Sequence, residues 1–294
     1  MQHAGTPATK RKTGWLLLKL AVSAACIWFI AAKIDFSEAG HALKKAHWLF
    51  LFPALLLFAL SKWISAIRLH TYFKETGLNL TSSDNVKLYW LGMFYNLFLP
   101  GSISGDAYKV IRLNKRSGVS IKKISAAVLL DRFSGLLGLG LLLSTLAFTI
   151  SLPAYLPALL TAGVLLSVSG SFLLIHRYFP LFKNSFIPTL LMGILVQAVQ
   201  LTAVVFILLS LEIQQQWMAY LFIFLLSSAA AVLPVTVGGL GLRELVFLQG
   251  AVFFQTHTET AILVSLLFYL ITVFTSAWGA IWVFRPVLSK PAED

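Results

Sequence analysis

Long apolar segments separated by short polar connections run through almost the whole chain. The sequence does not show the alternation of apolar and polar residues that marks the strands of a membrane barrel. About 20 consecutive apolar residues are enough for a helix to cross the hydrocarbon core of a bilayer. The pattern therefore predicts an all-α integral membrane protein, one polytopic domain over residues 1–294. About six full transmembrane helices are expected near residues 15–32, 48–68, 124–150, 155–175, 188–211 and 260–284.

Two further apolar segments are short and end at a proline within a glycine-rich stretch. The first, residues 86–99, would rise about 21 Å as a helix, against a hydrocarbon core of roughly 30 Å. It stops at Pro100, and the second stops at Pro234. We predict re-entrant helical hairpins at about 86–113 and 217–254. Loop alternation makes them enter from opposite faces, which is the arrangement of transporters built from inverted repeats.

The two breaks resemble one another in sequence. From each proline, a hydroxyl follows at the second residue, a glycine at the fifth and a cation at the ninth. The matched pairs are Ser102 and Thr236, Gly105 and Gly239, and Lys109 and Arg243. Interrupted helices leave backbone groups that need partners, and a membrane tolerates them only inside protein or beside a watery cavity. The breaks are therefore the predicted binding site.

Composition agrees with a membrane protein and assigns its orientation. The chain is 58% hydrophobic and 12% charged, with a mean hydropathy of +0.84 and a net charge of +12. We attribute the surplus of cations to cytoplasmic loops, and no motif suggests nucleic-acid binding. Both termini are expected to be cytoplasmic, with loops 212–217 and 255–259 outside. Lys62 and Arg68 fall near the end of the second predicted span, where long cationic side chains can reach the interface.

Asp131 and Arg132 are an ionisable pair inside the third predicted span. A charge at the centre of a membrane helix costs about 2.5–3.5 kcal/mol on insertion scales. Asp131 shares a helical face with the small residues Ser134, Gly135 and Gly138. This stripe could serve helix packing, with Asp131 extending to the nearer interface, or it could line a functional site.

Arg243 and Glu244 directly follow the second break. Adjacent side chains point about 100° apart on a helix, so each is expected to find a partner elsewhere, such as Asp106, Asp131 or a ligand phosphate. The planar guanidinium of arginine suits two-pronged binding of an anion. Our hypothesis is that Asp131 and Arg243 belong to one buried network. The carboxylates of the site would hold the cations while the site is empty, or would bind a cationic headgroup.

Other kinds of site find no support in the sequence. Gly238-Gly239-Leu240-Gly241 lacks the strand and helix context of a dinucleotide fingerprint. The histidines have no metal-ligand spacing, and no nucleophile lies beside a base, so no metal, catalytic residue or cofactor is predicted. The residues predicted to bind the substrate are Ser102, Gly105, Asp106, Lys109, Asp131, Arg132, Thr236, Gly238, Gly239, Gly241, Arg243 and Glu244.

Three motifs built on glycine and charged residues follow one another along the chain. They are Leu99-Pro100-Gly101 with Gly105-Asp106-Ala107-Tyr108-Lys109, then Asp131-Arg132-Phe133-Ser134-Gly135-Leu136, then Pro234 with Gly238-Gly239-Leu240-Gly241-Leu242-Arg243-Glu244. In this order and spacing they resemble the flippase-like membrane domain family. That family is known from the N-terminal half of lysylphosphatidylglycerol synthases, the multiple peptide resistance factor. The resemblance implies a protein of the bacterial or archaeal inner membrane that moves lipids between leaflets.

The resulting expectation is a lipid translocator that is not an enzyme. Its partner would be a membrane lipid with a phosphate headgroup, such as an aminoacyl-phospholipid, a glycolipid or a polyprenyl-phosphate lipid. One alternative is an accessory subunit that docks a glycosyltransferase or a lipid-modifying enzyme through its basic loops. Another is a membrane enzyme acting on a lipid phosphate. Homo-oligomers are compatible with all three hypotheses.

Overall fold

The computed structural model describes residues 46–98, 104–232 and 241–285, together with a few isolated positions (28, 40, 44, 287 and 288). The regular structure in these residues is entirely helical. Their α-helices are α1 Leu51–Glu75, α2 Ser82–Phe98, α3 Ser104–Ser117, α4 Ile121–Leu146, α5 Tyr155–Tyr178, α6 Phe186–Ser210, α7 Trp217–Ala230, α8 Leu242–Phe253 and α9 Thr258–Ala277.

Five of these helices, with the short 3-10 turns that extend four of them, are long and apolar enough to cross a membrane. These stretches are Trp48–Glu75, Ile121–Thr149, Tyr155–Tyr178, Pro180–Ser210 and Thr258–Trp282. They correspond to the five spans predicted after residue 48, and the prediction of an all-helical, multi-pass membrane protein is confirmed. The span predicted at 15–32 lies outside the described residues.

Helix α1 is longer than the sequence suggested. We expected it to end near Arg68, but it continues to Glu75. The expectation that Lys62 and Arg68 reach the membrane interface is therefore wrong. Lys62 lies at the middle of α1, and Arg68 is buried in the protein with only 6% of its surface exposed.

The four short helices form two side-by-side pairs, α2 with α3 and α7 with α8. In each pair, we call the start of the first helix and the end of the second helix the outer ends. In the first pair these ends meet, because Arg116 near the end of α3 lies 3.5 Å from Asp84 near the start of α2. This end directly precedes the start of α4. In the second pair the rings of Phe222 and Phe254 are 5.9 Å apart. The outer ends of this pair share a cavity with residues 149–151, which follow the end of α4.

Three long helices, α1, α4 and α6, carry a polar layer at their middle. Its buried members are Ser61, Ser65, Arg68, Asp131, Ser134 and Gln200. One apolar cluster lies on one side of this layer and includes residues of α7, α8 and α9. A second cluster lies on the other side and includes residues of α2 and α3. The polar layer therefore lies between two apolar regions, each containing one of the short helix pairs.

Candidate functional site

Asp131 forms a buried ion pair with Arg68 in the polar layer. The Arg68 Nε donates to Asp131 Oδ1 over 2.8 Å, and the two side chains are only 7% and 9% exposed. This pair connects α1 to α4. Asp131 therefore does not extend to an interface. Its ion-pair partner is Arg68, and an ion pair between Asp131 and Arg243, as a direct form of the predicted network, is not found among the described residues.

Glycines make room for the Arg68 guanidinium between the helices. A Cβ added to Gly135 would lie 2.8 Å from Arg68 Nη1, and one added to Gly193 would lie 3.5 Å from the same atom. Gly138 faces the backbone of Gly193, where a Cβ would come within 2.5 Å. The predicted stripe of small residues thus serves close helix packing and the placement of Arg68 together. Within the described residues, Arg68 Nη1 has no hydrogen-bond partner.

Asp106 brings together three of the predicted site residues. It accepts a hydrogen bond from Lys109 Nζ at 3.1 Å, one turn further along α3. Both Nε and Nη2 of Arg132, on α4, contact its Oδ2 at 2.6 Å and 2.5 Å. Asp106 and Lys109 are nearly buried, whereas the Arg132 side chain is 37% exposed. Arg132 is therefore the accessible end of this cluster.

Lys109 reaches inward because α2 and α3 are in close contact. Gly105 lies against the Gly92 backbone, and a Cβ there would be 2.0 Å from the Gly92 carbonyl oxygen. The Lys109 side chain crosses Gly92, and its Nζ lies 4.8 Å from the centre of the Tyr89 ring. Gly105 therefore acts through packing. Its N–H also donates to Asn96 Oδ1 at 2.8 Å.

Glu244 has a structural role at the start of α8. Its carboxylate accepts hydrogen bonds from the Gly241 N–H at 2.7 Å and from Ser265 Oγ at 2.9 Å, and the residue is 3% exposed. Gly241 adopts a φ of +87°, which favours glycine. Glu244 thus caps α8 and connects it to α9. It forms no ion pair within the described residues, so its predicted pairing with a cation is not found there.

Arg243 lies beside an aromatic ring. Its guanidinium carbon is 5.4 Å from the centre of the Phe268 ring, and the side chain is half-buried. Ser102, Thr236, Gly238, Gly239 and the two break prolines lie outside the described residues. Among the described residues, no group of His, Cys, Asp and Glu side chains could hold a metal ion.

Two site residues escaped the sequence analysis. Arg68 is the partner of Asp131, and Lys62 stands six residues earlier on α1. Sequence reasoning assigned both to the end of a span, because hydropathy falls where charges accumulate. A longer α1, ending at the polar Thr76-Gly77, would have placed Lys62 at mid-membrane.

A groove between α3 and α4 joins an apolar wall to a charged end. Its volume is about 410 Å³. The apolar lining includes Ala107, Val110 and Ile111 of α3, with Val128 and Leu129 of α4. Asp106 and Arg132 close the end that lies furthest from the α3–α4 connection. An amphipathic molecule with an anionic group would find both kinds of contact here.

The chain matches a known family and is similar to a known membrane protein. A family model described as the lysylphosphatidylglycerol synthase TM region matches residues 16–187. This range includes Arg68, Asp106, Lys109, Asp131 and Arg132. A UPF0104 membrane protein from Pyrococcus horikoshii is 24% identical, and its alignment covers 74% of this chain and 80% of the relative.

Proposed function

Since the chain belongs to the lysylphosphatidylglycerol synthase TM region family, we propose that it translocates an anionic or phosphate-bearing lipid across the cytoplasmic membrane. Aminoacyl-phospholipids, glycolipids and polyprenyl-phosphate lipids are the candidate classes. In this proposal the protein moves the lipid without altering it chemically. It needs no cofactor, and both of its termini are cytoplasmic.

The groove between α3 and α4 is the observation that carries this proposal. A lipid combines an apolar chain with a polar head, and the groove combines an apolar wall with the Asp106–Arg132 pair at one end. Arg132 is accessible, and a guanidinium can bind a phosphate through two parallel hydrogen bonds. The acyl chain would lie along the wall while the phosphate replaces Asp106 as the partner of Arg132.

The charged residues behind the groove offer a continuation of the path. Asp106 also holds Lys109, whose ammonium lies over the Tyr89 ring. The Arg68–Asp131 pair lies in the polar layer at the middle of α1 and α4. When a phosphate enters between these cations, their hydrogen bonds to the carboxylates are replaced by charge-assisted hydrogen bonds to the phosphate. The carboxylates keep the cations paired while the path is empty, which lowers the cost of burying them.

The two short helix pairs support re-entrant hairpins. With 12 to 17 residues each, these helices rise about 18–26 Å and fall short of a roughly 30 Å hydrocarbon core. The outer ends of each pair lie together, one pair beside the start of α4 and the other beside its end. In our proposal, the pairs therefore enter from opposite faces and their tips approach the polar layer, as in an inverted repeat.

Replacement of Arg132 tests the function. Purified protein is reconstituted in phosphatidylcholine liposomes that contain a trace of acyl-labelled fluorescent phosphatidylglycerol, and dithionite bleaching measures translocation. We expect the wild-type protein to translocate this lipid and Arg132→Gln to be at least tenfold slower, because the accessible phosphate-binding group is lost. Arg112→Gln, which removes an exposed arginine of α3, is the control and should match the wild type.

Other outcomes would contradict this function. Equal rates for Arg132→Gln and the wild type would remove the groove from the pathway. A wild-type protein that is inactive alone, and active only with a co-purified glycosyltransferase, would favour the accessory subunit. A chemically altered lipid in the liposomes, detected by mass spectrometry, would favour a membrane enzyme.

A further inference from the structure

Lys62 lies at the middle of α1, directly after Ser61 of the polar layer. It stands about 17 Å along the helix axis from Leu51 and about 20 Å from Glu75. Half of the hydrocarbon core measures about 15 Å, which is too far for the ammonium group to reach either interface. Placing an ionisable side chain at this depth costs free energy, and such a residue is therefore a candidate functional residue.

Lys62 and Arg243 share one aromatic pair. The Lys62 Nζ lies 4.6 Å from the centre of the Phe58 ring, and the Arg243 guanidinium lies 5.4 Å from the centre of the Phe268 ring. These two rings contact each other edge to face, with centres 5.2 Å apart. The packing of α1 against α9 thus brings a cation from α1 and a cation from α8 to the same pair of aromatic rings.

Neither cation has a carboxylate partner within ion-pair distance in the described part of the chain. The nearby carboxylates are engaged elsewhere: Asp131 binds Arg68, and Glu244 caps α8. Lys62 and Arg243 are both half-buried, so they are reachable without being in bulk solvent. Two like charges held together in this way favour an anion between them.

The charge count indicates which anion. The cations of the site are Lys62, Arg68, Lys109, Arg132 and Arg243, and its carboxylates are Asp106, Asp131 and Glu244. The surplus is two positive charges. A phosphodiester carries one negative charge, whereas a phosphate monoester carries about −1.5 to −2 at pH 7. A monoester or a diphosphate therefore neutralises the surplus, and a phosphodiester leaves part of it.

We propose that Lys62 and Arg243 together hold a lipid headgroup with two negative charges, a phosphate monoester or a diphosphate. This inference deepens the proposed function, since it names the lipid class that the same membrane site takes. The Phe58 and Phe268 rings hold the two cations in position through cation–π contacts and exclude water from one side. The headgroup relieves the repulsion between the cations when it binds.

Headgroup selectivity in binding tests the inference. Full-length protein in detergent is competed against an acyl-labelled phosphatidic acid with unlabelled phosphatidic acid, phosphatidylglycerol of the same chains, or inorganic phosphate. We expect the wild type to bind phosphatidic acid at least tenfold more tightly than phosphatidylglycerol. Lys62→Gln and Arg243→Gln should each reduce this ratio to below threefold. Lys74→Gln, an exposed lysine at the end of the same helix, should leave it unchanged.

Several results would overturn the inference. They are equal wild-type affinities for the two phospholipids, an unchanged preference in Lys62→Gln, or inorganic phosphate binding as tightly as phosphatidic acid. The last result would assign the site to free phosphate instead of a lipid. Lys62→Met serves as a second variant, because its apolar side chain suits the buried position, and it should keep its binding of phosphatidylglycerol. Since binding is measured without transport, failed translocation with retained selectivity would refute the proposed function alone.

Discussion

At the scale of single residues, replacing one member of the Arg68–Asp131 pair should destabilise the polar layer more than replacing any of its other residues. Both side chains are buried at mid-helix, and their hydrogen bond is 2.8 Å long. A buried ion pair is weak support for stability as a whole, because both charges lose their hydration. Loss of one partner is different, since the other charge then remains buried and unpaired.

A double-mutant cycle measures this coupling. We expect Asp131→Asn and Arg68→Met each to reduce the free energy of unfolding by about 3–5 kcal/mol, because each strands a buried group. The double variant should lose much less than the two single losses together. Thermal and denaturant unfolding in detergent provide the measurement. Asp131→Asn combined with Arg243→Gln is the control, and its losses should add, because these residues form no pair.

At the scale of elements, the contact between α2 and α3 determines where Lys109 points. The two helices meet at Gly92 and Gly105 with no space for a Cβ at either position. This close approach allows Lys109 to cross α2 toward Tyr89 while it still contacts Asp106. The glycines thus connect backbone packing to the geometry of the charged residues.

Gly105→Ala should therefore separate α2 from α3. Its Cβ would lie 2.0 Å from the Gly92 carbonyl oxygen, and relief of such a clash costs about 1–3 kcal/mol of stability. We expect a lower melting temperature and at least a tenfold slower translocation, measured on the same preparation. Gly163→Ala on α5 is the matched control, because nothing lies within 4 Å of its added Cβ. Normal transport by Gly105→Ala would show that Lys109 tolerates the displacement.

Sequence reasoning succeeded where local composition determines the outcome. The five long apolar stretches after residue 48 are predictable because lipid requires continuous apolar surface. The Asp106–Lys109 contact follows from a spacing of three residues on one helix. The Arg68–Asp131 pair joins residues 63 positions apart, and only tertiary packing reveals it. The same pairing explains the error at α1, since a neutralised Arg68 lets the helix continue into the protein beyond the expected end.

At the scale of the whole molecule, two contacts show which ends of α1 and α6 lie at the same face of the helix bundle. His47, before α1, lies 2.8 Å from Glu212, after α6, so the start of α1 and the end of α6 share a face. At the other face, Ser185 Oγ donates to Glu75 Oε1 at 2.6 Å, joining the end of α1 to the start of α6. The first face is the one that the positive-inside rule predicts to be outside.

Cysteine labelling tests this topology. In a Cys26→Ser background, His257→Cys should react with a membrane-impermeant maleimide in intact cells, and Lys122→Cys should react only after the membrane is permeabilised. Both positions are exposed. Residue 257 lies beside the end of α8, in the second helix pair, and residue 122 lies beside the end of α3, in the first pair. Since the two pairs are proposed to enter from opposite faces, the two cysteines should be labelled from opposite sides. Reaction of both residues from the same side would rule out helix pairs that enter from opposite faces.

The depth of Lys62 also has an electrical consequence. A doubly charged headgroup that reaches Lys62 from one surface crosses about half of the membrane's thickness. The electrical work equals that of one elementary charge crossing the whole bilayer, about 2.3 kcal/mol per 100 mV of transmembrane potential. In a cell that is negative inside, this work opposes arrival from the outer surface and assists departure toward it. The resting potential alone would therefore drive such a lipid outward, and inward movement would have to draw on another source of free energy.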